Sequence, residues 1–120
     1  MARILIVDDS MISRVGLKEI LINAGHEIVE EAINGEEACR IYNESNPDIV
    51  TMDITMPVMN GMESLKRIIQ NHPNAKVIMI TALSQTSKVL EALNLGALHY
   101  ITKPYEAKKI ISIIDEVLKS

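Results

Sequence analysis

Two hydrophobic periods alternate along the chain. Ile4-Leu5-Ile6-Val7 is a continuous apolar run ending in Asp8-Asp9-Ser10, and a run apolar on both faces predicts a parallel strand covered on each side by helices. From Met11 to Ala24 the period becomes helical, with Leu17, Ile20, Leu21 and Ala24 on one face and Gly25 as the stop. His26 to Ala32 sets Ile28 and Val29 among glutamates, which suits a short strand at a sheet edge. Asn34-Gly35-Glu36-Glu37 reads as an N-cap followed by acids that the helix dipole favours, opening a helix to about Asn43. Asn46-Pro47 leads into the third strand, where Ile49, Val50 and Met52 flank Thr51 and the run ends on Asp53; Pro57, Asn60 and Gly61 mark the loop beyond it.

The remaining chain repeats the pattern. A third helix spans about Met62 to Asn71 with Leu65, Ile68 and Ile69 inward and Pro73 closing it. Lys76 to Thr81 is the fourth strand, and a fourth helix after Ala82-Leu83-Ser84 presents Val89, Leu90 and Leu93 before stopping at Gly96. His99 to Thr102 is a short last strand followed by Lys103-Pro104, and a final helix from about Glu106 to Lys119 carries Ile110, Ile113, Ile114, Val117 and Leu118. Strand and helix alternate without a linker or repeat, which predicts an α/β fold with a five-stranded parallel sheet covered on both faces. Residues 1–120 read as a single domain, of a size that buries roughly two thirds of its unfolded surface. Right-handed crossovers then bring the carboxyl end of every strand to the same edge.

Composition narrows the picture. Hydrophobic residues make up 48% of the chain and charged residues 23%, with a net charge of -4; neither disorder nor a polybasic nucleic-acid surface is indicated. Cys39 is the only cysteine and has no internal disulfide partner. The apolar run after Arg3 is too short for a signal peptide and no run is long enough to span a bilayer, so the expectation is a cytoplasmic protein.

The parallel sheet places Asp8, Asp9, Asp53, Thr81 and Lys103 at one edge, after strands one, three, four and five, where open α/β sheets bind ligands. Taken singly, each has an ordinary explanation as a turn, cap or loop residue. Together they have chemical content. Three close carboxylates stay ionised only if a cation compensates them, and oxygen-only ligands favour a hard ion that keeps waters, pointing to Mg²⁺. An ammonium and a hydroxyl beside that ion suit a phosphoryl group. A carboxylate can attack phosphorus to form an aspartyl-phosphate, and Asp53, alone on its strand, is better placed for this than the paired acids.

These residues resemble those of the receiver domains of two-component response regulators, close to the stand-alone chemotaxis type. The resemblance runs the whole length and rests on Asp8-Asp9, on Asp53 followed by Met56-Pro57 and Asn60-Gly61, on Thr81-Ala82, and on Tyr100 three residues before Lys103-Pro104. It implies a flavodoxin-like doubly wound (βα)5 fold with strand order 2-1-3-4-5, an order carried over from the chemotaxis receivers. It further implies that Asp9, Asp53 and the backbone carbonyl of Thr55 hold Mg²⁺, with Asp8 reaching it through water. Asp53 is then the phosphoacceptor, Lys103 contacts the phosphoryl oxygens, and a cis peptide before Pro104 aims its side chain. Thr81 and Tyr100 are the implied switch pair, Thr81 turning to the phosphoryl group and Tyr100 rotating inward, so that the surface of helix four, strand five and helix five changes for partners to read. Implied partners are a histidine kinase or phosphotransfer domain, a phosphatase, and a downstream target such as a flagellar switch or other output protein. Leu83 and Thr55 occupy family-variable positions that tune water access, and Tyr105 stands where the family often has Phe.

Two surfaces lie outside that constellation. Met11, Val15 and Ile22 form a second apolar set on helix one beside Arg14 and Lys18, a candidate docking face for a kinase or phosphotransfer helical bundle. On the last helix the apolar arc through Ile113, Ile110 and Ile111 spans roughly 160°, wider than a minimal core stripe, and its margins suit an output partner or homodimer as well as simple burial. Rival functions fit less well. An aspartate-nucleophile phosphohydrolase wants a general acid two residues after the nucleophile, and Thr55 is not one; it also wants a substrate cap, for which no segment is spare. A nucleotide-binding module wants a glycine-rich loop after strand one, and a receiver that is never phosphorylated has no use for the acid trio and Lys103.

Overall fold

The structure is a computed structural model that describes all 120 residues. Five strands form one parallel sheet in the order β2-β1-β3-β4-β5: β1 (Arg3–Val7), β2 (Glu27–Ala32), β3 (Ile49–Asp53), β4 (Val77–Ala82) and β5 (His99–Lys103). Helices α1 (Met11–Asn23), α2 (Gly35–Ser45), α3 (Gly61–Asn71), α4 (Val89–Leu95) and α5 (Ala107–Leu118) follow the strands in turn. This is the flavodoxin-like (βα)5 fold, and glutamate-rich β2 takes the edge.

The strand alternation decides which helices lie on which face. Ile4, Ile6, Ile49, Ile78, Ile80 and Ile101 point to a core built with Leu17 and Leu21 of α1 and Ile110, Ile113, Ile114 and Val117 of α5. Leu5, Val7, Val50, Met52, Val77 and Met79 point the other way, to Ala38, Ile41 and Tyr42 of α2, Leu65 and Ile68 of α3 and Ala92 of α4. Two apolar faces per strand are therefore what the continuous runs encode. Thr51 shares the first of these faces with Ile49, between Ile6 and Ile78 of the flanking strands; it is 1% exposed, and its hydroxyl has no hydrogen-bond partner.

Local signals account for most element ends. Asn34 and Asn60 accept from the N–H groups of Glu37 and Glu63 and cap α2 and α3, while Gly96, at φ 118°, closes α4 in the left-handed region that glycine tolerates. The region after β4 departs from expectation. Residues Leu83–Lys88 form a 3₁₀ segment and α4 is only 7 residues long. Its inward residue is Ala92, whereas Leu90 and Leu93 are exposed; the leucines are spaced for a helix but stand on its outer side. α3, by contrast, ends at Asn71 as expected, just ahead of Pro73, with the His72 N–H on the Ile68 carbonyl.

Candidate functional site

Asp8 leaves the end of β1 with every polar group engaged. Its N–H donates to the Ala32 carbonyl at 3.0 Å, Oδ1 accepts the Ser10 N–H at 2.9 Å and Oδ2 accepts Lys103 Nζ at 3.0 Å, and its own carbonyl accepts Arg14 Nη1 at 2.8 Å. The residue is 4% exposed. Asp9, next in the chain, is exposed and makes no hydrogen bond. Asp53 closes β3, and its Oδ2 lies 3.5 Å from Lys103 Nζ. Carboxylate oxygens of Asp8, Asp9 and Asp53 lie within 4.8 Å of one another.

The loop that follows Asp53 is held by backbone packing. Gly61 N–H donates to the Ile54 carbonyl at 2.8 Å, and a Cβ at Gly61 would run into the Asp53 carbonyl. Gly35 N–H reaches the Met59 carbonyl at 2.8 Å, and Ser64 Oγ donates to the Gly35 carbonyl at 2.8 Å, so the first turn of α2 braces the same loop. Between these anchors Val58 adopts φ 66°, with the Met59 N–H on the Pro57 carbonyl at 2.7 Å. A β-branched residue in that region costs about 1–3 kcal/mol, which the surrounding contacts must offset.

Electrostatically the cluster is unfinished. Three carboxylates face one ammonium, leaving two negative charges without a partner at short range. Burial pushes the Asp53 carboxyl up and the Asp8 charge adds to this, against the opposing pull of Lys103 and the Thr55 backbone N–H. Burial acts to lower the Lys103 ammonium, but the hydrogen bond to Asp8 and the charges of Asp53 and Asp8 outweigh it and hold it above the usual lysine range. The donor set contains only oxygen and lacks two positive charges, so it fits a hard divalent cation such as Mg²⁺.

Of the residues expected here, Asp8, Asp9, Asp53 and Lys103 come together. Thr81 is fully buried at the end of β4 with its hydroxyl donating to the Ala82 carbonyl at 3.0 Å, off the carboxylates. Tyr100 is 40% exposed on edge strand β5. The Lys103-Pro104 bond is cis. Sequence reasoning set Arg14 and Lys18 beside the exposed apolar residues of α1, but missed that they clasp Glu31 from either side and that Arg14 also holds Asp8. A bond from a helix side chain to a backbone carbonyl leaves no periodic signature.

Residues 4–115 match the model of the response regulator receiver domain. The chain is 46% identical over 117 residues to the chemotaxis protein CheY of Thermotoga maritima, covering 98% of each, and 47% identical over 118 residues to protein CcdB of Bacillus subtilis, again covering 98% of each. Among solved structures it resembles the CheX-CheY-BeF3-Mg complex of Borrelia burgdorferi, with a TM-score of 0.91 and 40% identity over 96% of this chain and 87% of that one. Agreement over the whole length, on a sheet whose loops deliver three acids and a lysine to one edge, makes the chain a member of the response regulator receiver domain family.

Proposed function

We propose that the chain accepts a phosphoryl group on Asp53 from a phosphohistidine and, so modified, presents an altered face of α4, β5 and α5 to a target. As a receiver, its chemistry is its own phosphorylation and dephosphorylation rather than turnover of an outside substrate. The observation that carries the reading is the crowding of Asp8, Asp9 and Asp53 within 4.8 Å with Lys103 bonded to two of them. Asp8 Oδ1 and Oδ2 are already taken by protein donors, whereas Asp9 is free, which supports Asp9, Asp53 and the Thr55 carbonyl as direct ligands of Mg²⁺ and Asp8 as one acting through water. Bound there, the ion supplies Lewis-acid compensation of the charge on the transferring phosphoryl oxygens.

In the transfer an Asp53 carboxylate oxygen forms a bond to phosphorus while the phosphorus–nitrogen bond to the donor imidazole breaks, its electron pair returning to nitrogen. The Lys103 ammonium, already between Asp8 and Asp53, follows the new negative charge. Thr81 then turns its hydroxyl from the Ala82 carbonyl to the phosphoryl group, and Tyr100 moves from its exposed position into the space released. The exposed leucines of α4, Leu90 and Leu93, belong to the face this rearrangement alters. A role in chemotaxis is the pathway favoured by relatives of the same length, such as the Thermotoga maritima protein; a solved relative is a complex of CheY with CheX, which supports a further protein partner beside the kinase and the target, and a phosphatase is one such partner. A cytoplasmic setting suits a kinase-fed receiver, and no helix is long and apolar enough to cross a membrane. The test is intact mass after incubation with Mg²⁺ and acetyl phosphate. One base-labile phosphoryl adduct is expected, absent in Asp53→Asn and without Mg²⁺; steady hydrolysis of unrelated phosphate esters would favour the phosphohydrolase reading instead.

A further inference from the structure

Arg14 stands outside the acid cluster and has no place in the transfer described above. Its guanidinium nonetheless binds in two directions, donating from Nη1 to the Asp8 carbonyl at 2.8 Å and from Nε to Glu31 Oε1 at 3.2 Å. Glu31 is held on its other oxygen by Lys18 Nζ at 2.9 Å. Side-chain exposure falls from 42% at Lys18 through 30% at Glu31 to 14% at Arg14, so the chain of charges runs inward from the outer side of α1. The Lys18 hydrogen bond, larger than the opposing effect of burial and aided by the Lys18 charge and by Arg14, holds the Glu31 carboxyl below its usual range.

The bond to Asp8 matters for the residue after it. The carbonyl that Arg14 holds belongs to the planar Asp8–Asp9 peptide, so anchoring that oxygen fixes the plane in which the Asp9 N and Cα lie and from which its side chain projects. Asp8 does not depend on this bond, since its N–H and both carboxylate oxygens have other partners. Asp9 has none of these supports. We infer that Arg14 is a positioning residue that aims Asp9 at the divalent cation, with Glu31 fixing Arg14 in turn. The inference rests on the proposed Mg²⁺ site. It opposes what simple electrostatics demands: a cation this close repels Mg²⁺, so its removal should tighten binding if charge were its only effect.

That opposition makes the test one of sign. Mg²⁺ is titrated into the isotopically labelled full chain without phosphodonor, following the backbone amides of Asp8, Asp9 and Asp53 by NMR, for wild type, Arg14→Met and Lys18→Met. Arg14→Met is expected to weaken Mg²⁺ binding about 10-fold, the scale seen when a group orienting a metal ligand is lost. Lys18→Met removes the same charge from the same carboxylate but not the bond to Asp8, and is expected to leave the affinity unchanged or slightly tighter. Equal or tighter binding by Arg14→Met, or equal weakening by both variants, overturns the inference while leaving the Mg²⁺ site standing. Wild-type amides that do not respond to Mg²⁺ overturn both. If the Arg14→Met spectrum shows an unfolded chain, Arg14→Lys carries the test, because it keeps the charge while losing the guanidinium that spans the Asp8 carbonyl and Glu31; weaker binding is expected and unchanged binding overturns the inference.

Discussion

Asp53 is held between opposing demands at the scale of a single residue. Burial and the neighbouring Asp8 charge disfavour its ionised form, and Lys103 and the Thr55 N–H do not fully compensate. A carboxyl raised above its unfolded value binds its proton more tightly in the folded chain, so stability falls as pH rises through the interval above the ordinary 3.8 and is regained on acidification. In metal-free buffer Asp53→Asn should therefore raise the thermal midpoint at neutral pH, by an amount that shrinks as pH drops into the carboxyl range; a gain independent of pH would contradict this. Thr51 shows the same economy without function. Its buried hydroxyl lacks a partner, so Thr51→Val, which keeps the shape, should stabilise the chain by about 1 kcal/mol in urea denaturation.

Among elements, glycines show how differently one residue type is used. Gly16 lies inside α1 with nothing within 4 Å of where a Cβ would stand, so Gly16→Ala should stabilise by about 0.5–1 kcal/mol through helix propensity. Gly61 opens α3 directly against the Asp53 backbone, and Gly61→Ala should destabilise by about 2 kcal/mol or more and disturb the acceptor loop. Chemical denaturation of the two variants checks the opposite signs. The sequence shows both as glycines in or beside a helix; only the Asn60-Gly61 pair after the third strand hinted at the difference. Elements with long apolar runs, β1, β3 and β4, and the strongly periodic α5 were legible because packing on two faces or one leaves a repeating trace. α4 was not. Its one fully buried residue is Ala92, a small one that packs into the core with partly buried Leu95, while Leu90 and Leu93 face out, so the expected leucines pointed to the wrong side. The acids and Lys103 were legible because parallel connectivity forces their strand ends together, whereas the Arg14–Glu31–Lys18 bridge depends on rotamers and register.

Seen as a whole molecule, the receiver carries exposed apolar side chains as well as its charged edge. One set lies on the outer side of α1, where Met11, Val15 and Ile22 are 68%, 54% and 51% exposed, a straight stripe broken by Lys18 and suited to lie along another helix. Val15→Asp should slow phosphoryl transfer from a histidine donor by about 10-fold or more, given what a charge at a packed interface costs, and leave the rate with acetyl phosphate unchanged. Equal loss with both donors would place the damage in the site. The central claim, that Asp53 alone receives the phosphoryl group, is tested most directly by trapping the acyl phosphate. Borohydride reduction after exposure to acetyl phosphate and Mg²⁺, followed by peptide mass spectrometry, should find homoserine at position 53 and nowhere else. Homoserine at position 8 or 9, or none in chain that carries the phosphoryl mass, would contradict it.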